Sequence, residues 1–257
     1  MNTNDSTQRF SSRVTNYVKY RPSYPAVIID LLATECGLTP DSRVADVGSG
    51  TGLLTELFLK AGNRVWGVEP NREMREAGEQ LLRGYDRFVS VAATAEETSL
   101  PDRGVDFIVA GQAFHWFDRS RVGAEFDRIL KPHGWIVLIW NERRIDSTAF
   151  LRAYEQLLRT YSPDYTQVDH KQVDGSVIQA VFPTIHFKTR LFDNQQRFDF
   201  DGVKGRLLSS SYAPEAGHPN HELMLAELRT IFQQYQTQGE IVFEYDTRVN
   251  YGQLNRV

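Results

Sequence analysis

Cysteine is almost absent from this 257-residue chain, with Cys36 standing alone, which excludes an internal disulfide framework and fits a reducing compartment. Long apolar runs are missing as well, so no membrane-spanning helix is expected. The opening stretch MNTNDSTQRFSSR lacks the apolar core of a secretory signal; a cytoplasmic protein is expected, with Met1 to about Gln8 as a loose polar tail. Positive charge is not in excess: 29 Lys and Arg stand against 33 Asp and Glu, for a net charge of −4. That is not the basic field of a protein that tracks a phosphate backbone, and no nucleic-acid partner is expected. His218 and His221 lie together at a helix start without a nearby cysteine or third histidine, so no metal site is expected. Repeats and low-complexity tracts do not occur. What remains, 41% hydrophobic and 24% charged residues, is the composition of a globular domain with ample length for a core.

The stretch RVADVGSGTGLLTELFLKAG, residues 43–62, organises the rest. Apolar Val44 to Val47 read as a buried strand, Gly48, Gly50 and Gly52 as a turn, and Leu53, Leu54, Leu57 and Phe58 as one face of a helix. Glycine removes a Cβ where the chain bends sharply or lets a ligand lie on backbone, and the first N–H groups of the helix attract a negative group. The dinucleotide fingerprint requires a third glycine at position 53, occupied here by Leu53. Asp46, just before the turn, would repel a pyrophosphate but suits the amine of a zwitterionic amino-acid tail. RVWGVEP reads as a second strand ending at Glu69, 21 residues after Gly48, the spacing of an acid that accepts ribose hydroxyls.

DVGSGTG and Glu69 together resemble the class I S-adenosylmethionine-dependent methyltransferases. The resemblance implies a Rossmann-like, doubly wound α/β fold with a seven-stranded, mostly parallel sheet whose last strand is antiparallel. It also implies S-adenosylmethionine as cofactor, held by Asp46, Gly48, Ser49, Gly50, Gly52, Glu69 and Pro70. The loop ATAEETSLP is similar to the one that holds adenine in this family, which places Thr94 and Ala95 there with Glu96 beside them, although the acid usual at the Thr94 position is absent. YVKYRPSYP and AFHWFD resemble segments of the trans-aconitate-like, type 11 branch. From these follow a lid carrying Tyr20 and Arg21, and Gln112, Phe114, His115 and Trp116 near the transferable methyl at the end of the fourth strand. His115 and Tyr20 are the candidates to accept a proton; His115 reads equally as a packing residue of its loop. LKPHG departs mildly from the family's LKPGG turn and leads into a fifth strand, Trp135 to Trp140.

Arg143 and Arg144, at the exit of that strand, are candidates to pair a substrate carboxylate or else form a solvated strand end. Residues 146–257 read as an amphipathic helix, a weakly patterned cap over 163–183, a long strand or hairpin at 186–200, a short helix, and an SSSY element with Ser211 and Tyr212 as candidate substrate contacts. A long helix and a final alternating strand close the chain. The expected division is 1–35 as an arm and helix over the cofactor, 36–145 as the cofactor-binding core, and 146–257 as a helical insert with the strands that complete the sheet and the substrate side. The expected activity is methyl transfer to a small, acidic organic acceptor. A nicotinamide-dependent oxidoreductase and a non-catalytic cofactor-binding protein are the alternatives, and the oligomeric state stays open.

Overall fold

The computed structural model describes residues 19–162, 165, 175–210 and 212–254. The expected tail, the arm residues Phe10, Arg13 and Tyr17, Ser211, and most of the expected cap segment lie outside these residues. The short apolar segments β1 (Arg43–Val47), β2 (Arg64–Val68), β3 (Phe88–Val91) and β4 (Val105–Gly111) pair in parallel. β5 (Leu130–Arg143) joins β4 in parallel, and β7 (Ile241–Gln253) lies antiparallel between β5 and β6 (Lys188–Phe198). The sheet order is β3-β2-β1-β4-β5-β7-β6. This is the expected seven-stranded sheet, and the last strand in sequence runs against the rest.

Helices cover both faces because strand side chains alternate and both sides are apolar. On one face α1 (Val27–Cys36) and α2 (Leu53–Lys60) pack against Val44, Phe107, Val109, Val137 and Ile139. On the other, α4 (Val122–Ile129) and α6 (Gly175–Val181) meet Ala45, Ile108, Ala110, Ile136 and Leu138. Between β2 and β3, α3 (Arg72–Leu82) is started by Asn71, whose side chain accepts from the Met74 N–H, as its position before REMREAGEQLL predicts. The expected amphipathic helix is α5 (Ala149–Tyr161), capped by Thr148. With α7 (Phe200–Leu208) and α8 (Pro219–Tyr235) it encloses a third apolar cluster around Ile241, Phe243 and Tyr245 of β7.

One expectation about strands changes, and of the two open readings of 186–200 the long strand is the one observed. KPHG is not a turn that precedes β5; it is a looped-out stretch inside it, where the register shifts between Val105 and Phe107 and His133 takes the left-handed φ of 63°. Polar Asp193, Asn194 and Gln195 do not break β6 into a hairpin. An edge strand exposed along much of its length tolerates them, and each pairs in register with β7.

Candidate active site

The chain leaves β1 in the middle of the sheet, proceeds outward to β3 and returns to β4 on the other side of β1. Such a reversal opens a crevice beyond the strand carboxyl ends. A cleft of about 190 Å³ lies there, lined by Gly48, Gly50, Glu69, Pro70, Asn71, Met74, Thr94, Ala95, Glu96, Gly111, Gln112, Ala113, Trp116 and Phe117.

The turn after β1 is shaped by its glycines. A Cβ on Gly48 would stand 2.6 Å from the Ala113 Cβ, so Gly48 lets the loop after β4 close against the turn. Gly50 has φ +56°, and its N–H donates to Glu69 Oε2 at 2.9 Å. Glu69 Oε1 accepts from the Asn71 N–H at 2.8 Å. Burial raises the Glu69 carboxyl above its ordinary range, against the opposing pull of those two N–H groups. The carboxylate is thereby fixed on the cleft wall, and its remaining lone pairs can accept hydroxyls.

Asp46 does not line the cleft. It is fully buried; Oδ2 accepts from Thr55 Oγ1 at 2.6 Å, while Oδ1 has no partner. Burial pushes its carboxyl up to about 7, partly opposed by Thr55 and assisted by the charge of Glu69. Ser49 and Gly52 are likewise off the cleft wall, and Gly52 instead makes room for Leu82, which a Cβ there would meet at 2.7 Å.

Two loops complete the walls. Thr94 and Glu97 bridge to close a short turn, and Thr98 is fastened to α4 because Glu125 Oε1 accepts from its N–H at 2.7 Å and its hydroxyl at 2.6 Å. Glu96 Oε1 accepts from the Asp118 N–H at 2.7 Å, linking this loop to the one after β4. There Gln112 adopts a left-handed φ of 55° and donates through Nε2 to the Asn141 carbonyl at 2.8 Å, a strained geometry of the kind that gathers at functional sites.

The aromatic candidates separate. Trp116 faces the cleft, with Phe117 beside it. Phe114 does not: it is fully buried, and its ring meets Phe117 and Phe182 at 5.8 and 5.9 Å, because the sheet face under α4 needs that ring. His115 lies in the same short turn, half-buried, its ring 4.9 Å from that of Trp116, and is not among the residues lining the cleft. Tyr20 is also off the cleft wall, its ring seated on Gly205 and edge-on to Phe198 at 6.1 Å.

Residues 45–138 match the family model of a methyltransferase domain. This segment is a methyltransferase domain. An uncharacterised methyltransferase of Mycobacterium tuberculosis is 38% identical over 139 residues, which is 54% of this chain and 54% of that protein; the match thus spans about half the length of that relative. One from Schizosaccharomyces pombe is 27% identical across 86% of both chains. Among solved structures, a chain described as a type II methyltransferase from Anaeromyxobacter dehalogenans superposes with a TM-score of 0.67 at 21% identity, over 92% of this chain and 100% of that one. A Haemonchus contortus phosphoethanolamine N-methyltransferase 2, in complex with phosphomonomethylethanolamine and S-adenosylhomocysteine, gives 0.58 at 12% identity, over 98% of this chain and 59% of that one. These two structures bear on the fold.

Outside the methyltransferase domain the candidate arginines are engaged in different ways. Arg21 Nη2 donates to the Ser209 carbonyl at 2.8 Å. Arg143 is nearly buried and donates to Glu155 Oε2 at 2.6 Å and to the Tyr165 hydroxyl at 3.1 Å. Arg144 forms the charged strand exit, paired with Asp246 at 2.6 Å and with Asp193. Tyr212 stands edge-on to Tyr165 at 4.9 Å. His218 and His221 hold backbone: the first accepts from the Asn220 N–H at 3.1 Å, and the second has Nδ1 2.8 Å from the Pro214 carbonyl.

Sequence reasoning passed over Asn71, Met74, Gly111, Ala113 and Phe117 as lining residues. Asn71 and Met74 carry a usable signal, since a helix cap directly after the acid that ends β2 brings its first turn to the same crevice. Arg206, a buried cation in the short apolar helix α7, was also passed over, and no local pattern marks it.

Proposed function

We propose that the chain is an S-adenosylmethionine-dependent methyltransferase acting on a small acidic acceptor. The observation that carries this is the cleft at the β1/β4 reversal, where the Glu69 carboxylate is locked by the Gly50 and Asn71 N–H groups in front of a turn that has Leu53 where the dinucleotide fingerprint has its third glycine. The residues fit the cofactor. Gly50 leaves its face of the turn clear of side chain, Glu69 offers lone pairs to a ribose, the Thr94–Glu96 turn flanks the place of a base, and Asp46 Oδ1 is an acceptor without a partner behind the turn.

When bound, S-adenosylmethionine supplies a methyl group already activated on a sulfonium. The chain's own part is alignment and exclusion of water. Trp116 and Phe117 give the cleft aromatic faces that tolerate a cation. Glu69 and Glu96 are the titratable residues on its described walls, and Glu69 is committed to backbone. An acceptor oxygen that is already anionic needs no base, and this favours a carboxylate over a hydroxyl or amine.

The test is calorimetric titration of the purified chain with S-adenosylmethionine and S-adenosylhomocysteine, with NAD as a third ligand. Micromolar binding of the first two is expected, and Gly50→Val should abolish it while leaving the far-UV circular dichroism native. Binding of NAD alone would replace this reading with the oxidoreductase one. Transfer of a labelled methyl to small carboxylic acids should then give a base-labile ester.

A further inference from the structure

A chain of polar contacts leads from the cleft toward the third apolar cluster. Gln112 reaches the Asn141 carbonyl, and the Asn141 amide reaches the Pro22 and Ser23 carbonyls. Two positions further along the same face of β5, about 7 Å on, stands Arg143, which pairs across the strands with Tyr245 of β7. There the sheet meets α7 and its cation, Arg206.

Arg206 is 6% exposed. Its Nε donates to the Tyr245 hydroxyl at 3.1 Å and its Nη1 to Ser210 Oγ at 3.2 Å. Among the described residues no carboxylate pairs with it and nothing accepts from Nη2. The neighbouring arginine differs, since Arg143 has Glu155 at 2.6 Å. Beside them Tyr154 is 1% exposed, and its hydroxyl has no hydrogen-bond partner. The Arg143 guanidinium lies 5.1 Å from the centre of that ring. Burial keeps the Tyr154 phenol protonated far above its ordinary range, so it has a proton to donate.

The charges of this cluster do not cancel. Among the described residues Arg143 and Arg206 bring two positive charges into the interior, and Glu155, which the half-exposed Arg159 also engages at 2.9 Å, returns one negative. A guanidinium removed from water without a counter-ion carries a desolvation penalty, and leaving a buried charge unmatched is strongly destabilising. The fork of Arg206, a free phenol hydroxyl and a net single positive charge match one carboxylate, since that group is planar, singly charged and bidentate.

We propose that Arg206 and Tyr154 form an acceptor-anchoring subsite that holds one carboxylate, making Arg206 a specificity-determining residue. This rests on the reading of the chain as a methyltransferase for small acidic acceptors. It transfers to Arg206 the role expected of Arg143 and Arg144, whose charges are met by Glu155, Asp193 and Asp246. Because the subsite lies beyond Asn141 from the cleft, the carboxylate it holds orients the acceptor and is not itself methylated.

The experiment is a thermal-shift titration of the full chain, saturated with S-adenosylhomocysteine, using succinate, citrate and inorganic phosphate against chloride at equal ionic strength. Wild type should show a saturable rise in melting temperature with a carboxylate. Arg206→Met should melt no lower than wild type without anion, because an unmatched charge is gone, and should weaken the carboxylate response at least roughly 25-fold. Arg206→Lys and Tyr154→Phe should retain part of it. Affinity for S-adenosylhomocysteine, measured by calorimetry, should be the same in all four proteins. An undiminished carboxylate response in Arg206→Met, no saturable response in wild type, or a response to phosphate alone would overturn the proposal. Failure of wild type to bind S-adenosylhomocysteine would instead overturn the methyl-transfer reading, and the anion titration without cofactor would still decide the subsite.

Discussion

Asp46 concentrates the electrostatics of the glycine turn in one side chain. Its carboxyl is fully buried, satisfied on one oxygen only, and raised from 3.8 to about 7. Between those values the folded chain holds a proton that the unfolded chain has lost, so stability must fall as pH rises across the interval, by up to about 1.4 kcal/mol per pH unit. Below the lower value the carboxyl costs nothing, and above the upper one the full cost persists. Asp46→Asn keeps an acceptor for Thr55 and cannot ionise. Urea melts of both proteins from pH 4.5 to 8 should show the variant gaining on wild type as pH rises and the gap levelling off above about 7. A pH-independent gap would count against a buried, titrating Asp46.

At the scale of elements, the Thr94–Pro101 segment shows how a loop is held rigid enough to serve as a wall. Glu125 of α4 receives two hydrogen bonds from Thr98 and is gripped by Arg128 through Nε and Nη2, each at 2.8 Å. Burial alone would raise this carboxyl, yet Arg128 and Thr98 hold it down to about 2. It therefore supplies stability that is complete above about 4.5 and is lost as pH falls towards 2. Glu125→Gln should cost about 1–3 kcal/mol near neutral pH, and its deficit in urea melts should shrink below pH 4. Affinity for S-adenosylhomocysteine should weaken several-fold because the loop is released. Unchanged affinity would mean that the loop is held elsewhere. Elements of this kind differ in how far the sequence discloses them. The glycine turn and Glu69 were legible because their meaning lies in one short stretch and one spacing. Phe114 and KPHG were not: each looks like its neighbours along the chain, and only the pairing of β4 with β5 and the packing beneath α4 decide its place. Arg206 is the extreme case. Nothing in FDGVKGRLL distinguishes its buried cation from Lys204, because its surroundings come from α5 and β7, far away in sequence.

For the molecule as a whole, the junction between the methyltransferase domain and the C-terminal half depends on Asn141. Its carbonyl accepts from Gln112 on the cleft wall, and its side-chain oxygen accepts from Thr247 of β7 at 2.5 Å and Asn194 of β6 at 3.2 Å. Its amide nitrogen donates to the carbonyls of Pro22 and Ser23 in the arm. Asn194 donates to the Ser23 carbonyl as well, at 2.8 Å. One side chain therefore joins three strands and the N-terminal arm. Asn141→Ala leaves the buried Thr247 hydroxyl and the Pro22 carbonyl short of a partner, while the Ser23 carbonyl keeps Asn194, an expected loss of about 1–3 kcal/mol, or several degrees in melting temperature for a chain of this length. The loss should be uneven. Trypsin cleavage after the exposed Lys19 should accelerate, because the arm is held partly by this amide, whereas S-adenosylhomocysteine affinity should change little, because Gln112 reaches the main chain of Asn141 and not its side chain. Faster cleavage with retained affinity would establish the arm as a separately released element, and equal loss of both would show that arm and cleft open together.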